Sequence, residues 1–229
     1  MTAILITLAS CGLLCGASVR AQDAKHPPKN PSPHRVSVFE VPLRCPAAPQ
    51  IGCGSRAKPM LLELERDSNV SQAWLNRAGT KIAVVWKPES KAKARRSVAT
   101  KIKEHEATEI KGKPRDEAIM QFLSGNGWYR GADVDRLSEE EAGIIAARLV
   151  QRVEAKTTLP KAKAEALQGA LADALKKRFT DDKIKQDQNA LLKSEDGLQQ
   201  VAGQYLDKDQ IPILKEAIAS GLRPLPNEK

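Results

Sequence analysis

β-Branched and aromatic residues crowd Val36, Val38, Phe39 and Val41, which predicts a strand from Arg35 to Leu43. The period then changes: Met60, Leu61, Leu62 and Leu64 recur at helical spacing after Pro59, and proline suits a first helical turn because its missing N–H is no loss there. This helix is expected to stop near Ser68-Asn69. Val70 to Asn76 carries Val70, Ala73, Trp74 and Leu75, and Lys81-Ile-Ala-Val-Val-Trp86 is the clearest strand in the chain. The turn residues Arg77-Ala-Gly-Thr80 join these two runs as a hairpin, which Pro88 ends. Lys91 to Glu106 fits a basic helix with a thin stripe of Val98 and Ile102, and Ala107 to Lys111 a last short strand. We expect Phe39, Leu62, Trp74, Ile82, Val84 and Trp86 to share one core beneath an antiparallel sheet.

Beyond Pro114 the pattern is helical. Asp116 to Leu123 forms one short helix, broken by Ser124-Gly-Asn-Gly127. Ser138 and Glu141 have the spacing of a capping box, followed by Ile144, Ile145, Leu149, Val150 and Val153 at helical intervals. Pro160 opens a helix bearing Ala164, Leu167, Leu171 and Leu175, and Asp181-Asp182 marks a turn. Two final helices span Glu195 to Leu206 and Lys208 to Ser220, with Gly221 as cap and Pro224 soon after. The fold class is therefore α+β: a β-α-β-β-α-β unit over 34–113, then an all-helical unit over 114–229.

The first 33 residues do not belong to either unit. Ala3 to Ala17 is uncharged and, at about fifteen residues, short for a membrane span. With Val19-Arg20-Ala21 as a cleavage site, residues 1–21 read as an export signal to the periplasm or the exterior. Leu8-Ala9-Ser10-Cys11 offers the alternative of a lipobox, with Cys11 lipidated and the chain anchored to a membrane. Residues 22–33, rich in Pro, Lys and Asn, fit a disordered tether. His26 and His34 lie in or beside it and read as solvated tail residues.

Charge divides the chain at the same place as texture. Residues 22–114 hold 18 Lys/Arg against 9 Asp/Glu, and residues 115–229 hold 18 against 19. A basic first unit would favour an acidic protein partner or an anionic membrane surface. Export and the scarcity of aromatic residues argue against nucleic acid, whose single strands need stacking platforms.

The chemistry concentrates in Cys45-Pro-Ala-Ala-Pro-Gln-Ile-Gly-Cys53, between the first strand and the first helix. A thiol pair there serves as a disulfide, a soft-metal site or a redox couple. A disulfide would stabilise the fold by about 2.5 kcal/mol on the chain-entropy model. Cys53 should be the more acidic thiol, being nearer the helix start and close to Arg56 and Lys58 in sequence. Two thiolates suit Cu(I) or Hg(II), whereas Zn(II) normally takes four ligands.

The order of elements and the place of Cys45 and Cys53 resemble the heavy-metal-associated domain, over roughly Arg35 to Gly112. The resemblance implies a ferredoxin-like fold and metal binding by Cys45 and Cys53, with the second cysteine at the start of the first helix. The family spaces its cysteines by two residues; here seven intervene. The chain is thus expected to be a non-catalytic envelope binding protein. The alternatives are a thiol–disulfide redox protein and a partner-binding module with a structural disulfide.

Other candidates are less specific. Gly125-Asn-Gly-Trp-Tyr-Arg-Gly131 has no phosphate-loop lysine. Trp128 is expected to dock the helical half onto the sheet, with a ligand groove at Trp128 and Tyr129 as the other reading. Asp133 and Asp135 are placed as helix caps or as acid–base groups, and His105 as a solvated helix end.

Overall fold

The computed structural model describes residues 31–181 and 197–228. Cys11, the export segment 1–21, His26, Asp182 and Glu195 lie outside the described residues. Among the described residues no helix is long and apolar enough to cross a membrane.

After a 3₁₀ turn at Pro33–Arg35, the chain runs β1 (Val36–Glu40), α1 (Gly54–Arg66), β2 (Val70–Asn76), β3 (Lys81–Trp86), α2 (Ala92–Lys103) and β4 (Thr108–Glu109). Then come α3 (Gly112–Leu123), β5 (Trp128–Arg130), α4 (Asp135–Glu154) and α5 (Lys161–Thr180). A helical stretch over 197–202 precedes α6 (Ile211–Ala219). The five strands form one antiparallel sheet in the order β4-β1-β3-β2-β5. The molecule is α+β.

The sheet is covered on both faces. Phe39, Val70, Ala73, Leu75, Ile82, Val84 and Trp86 meet Leu61 and Leu64 of α1 and Val98 and Ile102 of α2. On the other face, Val38, Trp74, Ala83 and Val85 meet Ile119 and Phe122 of α3. Trp74 therefore leaves the core expected for it. A bulge between Val70 and Gln72 is the cause: Val70 pairs with Trp86, but Gln72 pairs with Val85, so the alternation changes phase. Val70, Ala73 and Leu75 then share one face, and Trp74 takes the other. Leu62 is also outside the expected core, half-buried on the flank of α1.

Several elements differ from the sequence reading. α1 begins at Gly54, so Pro59 lies inside it rather than in its first turn. A Cβ at Gly54 would sit 2.5 Å from the Val134 carbonyl oxygen and from Ser138 Oγ, so only glycine lets the start of α1 lie this close to α4. α3 starts at Gly112, four residues before Asp116. The expected capping box does not form, because α4 already starts at Asp135 and leaves Ser138 and Glu141 buried within the helix. The glycine-rich loop contains β5, which pairs with β2 through Trp74–Arg130, Leu75–Tyr129 and Asn76–Trp128.

A third apolar cluster unites α4, α5 and α6 through Ile145, Leu149, Leu167, Leu171, Leu214 and Ile218. Cys45, Ala47, Ala48, Ile51 and Cys53 belong to it too. The loop between β1 and α1 thus packs against the later helices, while Val134 and Leu137 at the start of α4 close the core under α1 and α2.

Candidate functional site

The loop after β1 is a small hairpin. Cys45 N donates to the Ile51 carbonyl (2.9 Å), Cys53 N to the Leu43 carbonyl (2.7 Å) and Gly52 N to the Arg77 carbonyl (2.7 Å). Arg44 and Gly52 form the bridge pair. With 44 opposite 52, Cys45 and Cys53 are diagonal neighbours on one face, within reach of each other's side chains. The bridge brings together two cysteines that are far apart along the loop. Gly79 locks the arrangement from the β2–β3 turn. Its φ is +67°, and a Cβ there would lie 2.4 Å from the Leu43 carbonyl oxygen and 2.5 Å from Gly52 Cα.

Both cysteines are free thiols, and both are buried: Cys45 is 1 % exposed and Cys53 6 %. Ala48 N donates to Cys45 Sγ (3.3 Å), and Cys53 Sγ lies 3.3 Å from Ser55 Oγ. Cys53 is the N-cap of α1 in extended conformation, which sets its sulfur at the positive end of the helix.

The two thiols are unequal. The hydrogen bond from Cys45 is the main cause that lowers Cys53 to about 5, assisted by Ser55 and by the amide and charge of Arg56, against the opposing effect of burial. Cys45 moves the other way, raised well above the usual thiol range by its bond to Cys53, by burial and by Glu141. The two shifts share one cause, the bond in which the Cys45 thiol donates to the Cys53 sulfur. Lys58 reaches Asp135 of α4 instead (2.5 Å).

Glu141 completes the site. It is 7 % exposed, its Oε2 has no hydrogen-bond partner among the described residues, and burial pushes its carboxyl up to about 7, with the Cys45 thiol opposing and the Cys53 charge adding. Sequence reasoning placed Glu141 at a helix end and missed this role. The available signal was polar spacing: Glu141, Arg148 and Arg152 fall on one face of α4 among its apolar positions.

The other candidates stand apart. Among the described residues, no group of three or more His, Cys, Asp or Glu side chains is arranged to hold a metal ion. His34 is exposed and bonds Ser32 (3.2 Å), and exposed His105 ends the α2 region. Trp128 is buried edge-on to Phe122, centroids 5.2 Å apart, so it anchors α3 to the sheet, and it borders an open surface depression. Tyr129 is half-buried, with the Arg136 guanidinium 6.0 Å from its ring centroid. Asp135 lies in the first turn of α4, where a carboxylate complements the helix dipole. The Asp133 carbonyl accepts from Arg136 N (3.1 Å) in the turn before it.

No family model, no curated protein and no solved structure matches the chain.

Proposed function

We propose that this chain is an exported, non-catalytic envelope binding protein that captures a soft cation, Cu(I) or Hg(II), between Cys45 and Cys53. The observation that carries the reading is the pair of buried free thiols brought together at the start of α1, where the bond from Cys45 lowers Cys53. Among the described residues no further His or Cys joins the two sulfurs, which suits an ion content with two soft ligands and not the four-ligand demand of Zn(II). The strand order β4-β1-β3-β2 with every neighbour antiparallel supports a ferredoxin-like unit over residues 34–113, and with it the likeness to heavy-metal-associated domains. The departure in cysteine spacing has a physical answer, since the Arg44–Gly52 bridge does the work that a short spacing does in that family.

The residues divide the work. Cys53 offers a thiolate at the start of α1. Cys45 gives up its proton on capture, with the Glu141 carboxyl beside it. α4, α5 and α6 pack against the loop and exclude water from it. Titration of the reduced protein with Cu(I) tests the reading. We expect one tightly held equivalent, lost in Cys53→Ser while the fold persists; absence of binding by the reduced wild type removes the metal.

The buried Glu141 favours a second reading, thiol–disulfide exchange. There, Cys53 attacks a partner disulfide and expels one partner thiolate. Cys45 then closes the intramolecular bond, expels the protein-bound partner sulfur and passes its proton to Glu141. The protein pair is oxidised and the partner reduced. A midpoint potential that moves with Glu141→Gln supports this reading, and a pair that resists glutathione indicates a structural disulfide.

A further inference from the structure

The thiol loop is also tied to the last described segment of the chain. Arg148 and Arg152, one turn apart on α4, are both nearly buried. Arg148 Nη1 donates to two carbonyls at once: Ala47 in the thiol loop (2.8 Å) and Leu222 after α6 (2.7 Å). Arg152 grips Glu228 with two bonds, Nε to Oε1 (2.7 Å) and Nη2 to Oε2 (2.9 Å). It also donates to the Ala217 and Arg223 carbonyls (2.9 and 2.8 Å). Glu228 Oε2 accepts from Leu225 N (2.8 Å) and lies 3.8 Å from Arg148 Nε. Gly221, at φ +90°, turns the chain back across α4 to make these contacts.

We propose that residues 221–228 form a strap that controls access to the Cys45–Cys53 pair, with Arg148 as the positioning residue that transmits its state to the loop. Ala47 follows Cys45 by two residues, and the next amide, Ala48 N, is the donor to Cys45 Sγ. Holding the Ala47 carbonyl therefore holds the turn that orients the Cys45 sulfur. With the strap in place, Arg148 has acceptors on both sides and stays dry. With the strap lifted, it loses Leu222 and Glu228, and a buried guanidinium with too few acceptors draws in water. The water arrives beside Ala47, and the loop loosens where the thiols are shut in. Arg148, Arg152 and the packing of Leu222 on the third cluster hold the strap, and no helix or strand lies within it, so it can open as a local unit while the cores persist. The coupling stands on these contacts alone; its use in cation capture or release rests on the function proposed above.

The test uses the reduced full-length chain and needs no metal. Alkylation of Cys53 by iodoacetamide is followed in wild type, Glu228→Ala, Arg148→Lys and Lys156→Ala. Lys156, in the turn after α4, pairs with Glu216 of α6 (2.5 Å), and among the described residues this ion pair goes to neither the loop nor the strap. Glu228→Ala should react roughly tenfold faster through local opening, Arg148→Lys should also react faster, and Lys156→Ala should match wild type. Amide exchange in Glu228→Ala should quicken at Cys45 and Ile51 and remain slow at Val84 in β3. Equal alkylation in wild type and Glu228→Ala overturns the proposal. So does faster exchange at Val84 by the same factor as at Ile51, because that reports general unfolding. Failure to bind Cu(I) with the alkylation result intact would remove the ion and leave the strap.

Discussion

At the scale of single residues, the site is a proton inventory shared by Cys45, Cys53 and Glu141. Cys53 is lowered from 9.0 to about 5, so relative to the unfolded chain it adds stability as pH rises from about 5 to 9. Glu141 is raised from 4.5 to about 7, so its contribution is fully present below about 4.5 and is lost as pH climbs to about 7. Between pH 5 and 7 the two effects have opposite sign and similar slope, and wild-type stability should be nearly flat. Glu141→Gln should unmask the thiolate effect, a rise approaching 1.4 kcal/mol per pH unit across that window. Cys53→Ser should instead leave a fall. Urea melts at pH 5, 6 and 7 measure both, and a flat profile in either variant would contradict the assigned states. Glu228, held at about 2 by Arg152, and Asp67, lowered chiefly by the Asn69 amide, act only at lower pH.

Among the elements, the glycines separate turns that require glycine from helices that merely contain it. Gly79→Ala places a methyl against the Leu43 carbonyl in a left-handed backbone, and should cost about 2 kcal/mol or more through strain and a displaced thiol loop. Gly169, exposed in α5 with nothing within 4 Å of an added Cβ, should gain about 0.5–1 kcal/mol on conversion to Ala. Thermal melts of the two variants should therefore move in opposite directions. The β2 bulge belongs to the same scale. Trp74 faces α3 because of one extra residue, so Phe122→Ala should perturb the near-ultraviolet signal of Trp74 and Trp128 and cost about 3–5 kcal/mol.

For the whole molecule, the consequential fact is where the thiol loop packs. Ile51 is fully buried in the cluster formed with α4, α5 and α6, although its loop leaves from β1. The sheet and the later helices therefore share side chains across a large sequence separation. Ile51→Ala should cost about 2–5 kcal/mol. It should also lower the tryptophan-reported and helix-reported transitions together, since the loop that carries Ile51 into the helical cluster is hydrogen-bonded to the β2–β3 turn through Leu43 and Gly52. Two separate transitions in wild type, one for each probe, would show that the shared loop does not couple them.

The sequence by itself determined the α+β class, the β2–β3 hairpin and the run of later helices, because period, turn residues and caps are local and repeat over several residues. Cys45 and Cys53 were legible as the candidate site because few other residues on the chain offer thiol chemistry. Only the tertiary structure decided which face Trp74 takes, since a bulge depends on pairing with β3. The same holds for β5, three residues long, whose strand character comes from the β2 edge it joins. Helix starts moved for a related reason: Gly54 and Asp135 begin their helices where α1 and α4 pack against each other, and no local cap announces that contact. Glu141 looked like a surface cap in one dimension. It became the buried neighbour of Cys45 only when the β1–α1 loop folded onto α4, a contact between residues 96 positions apart that no local pattern encodes.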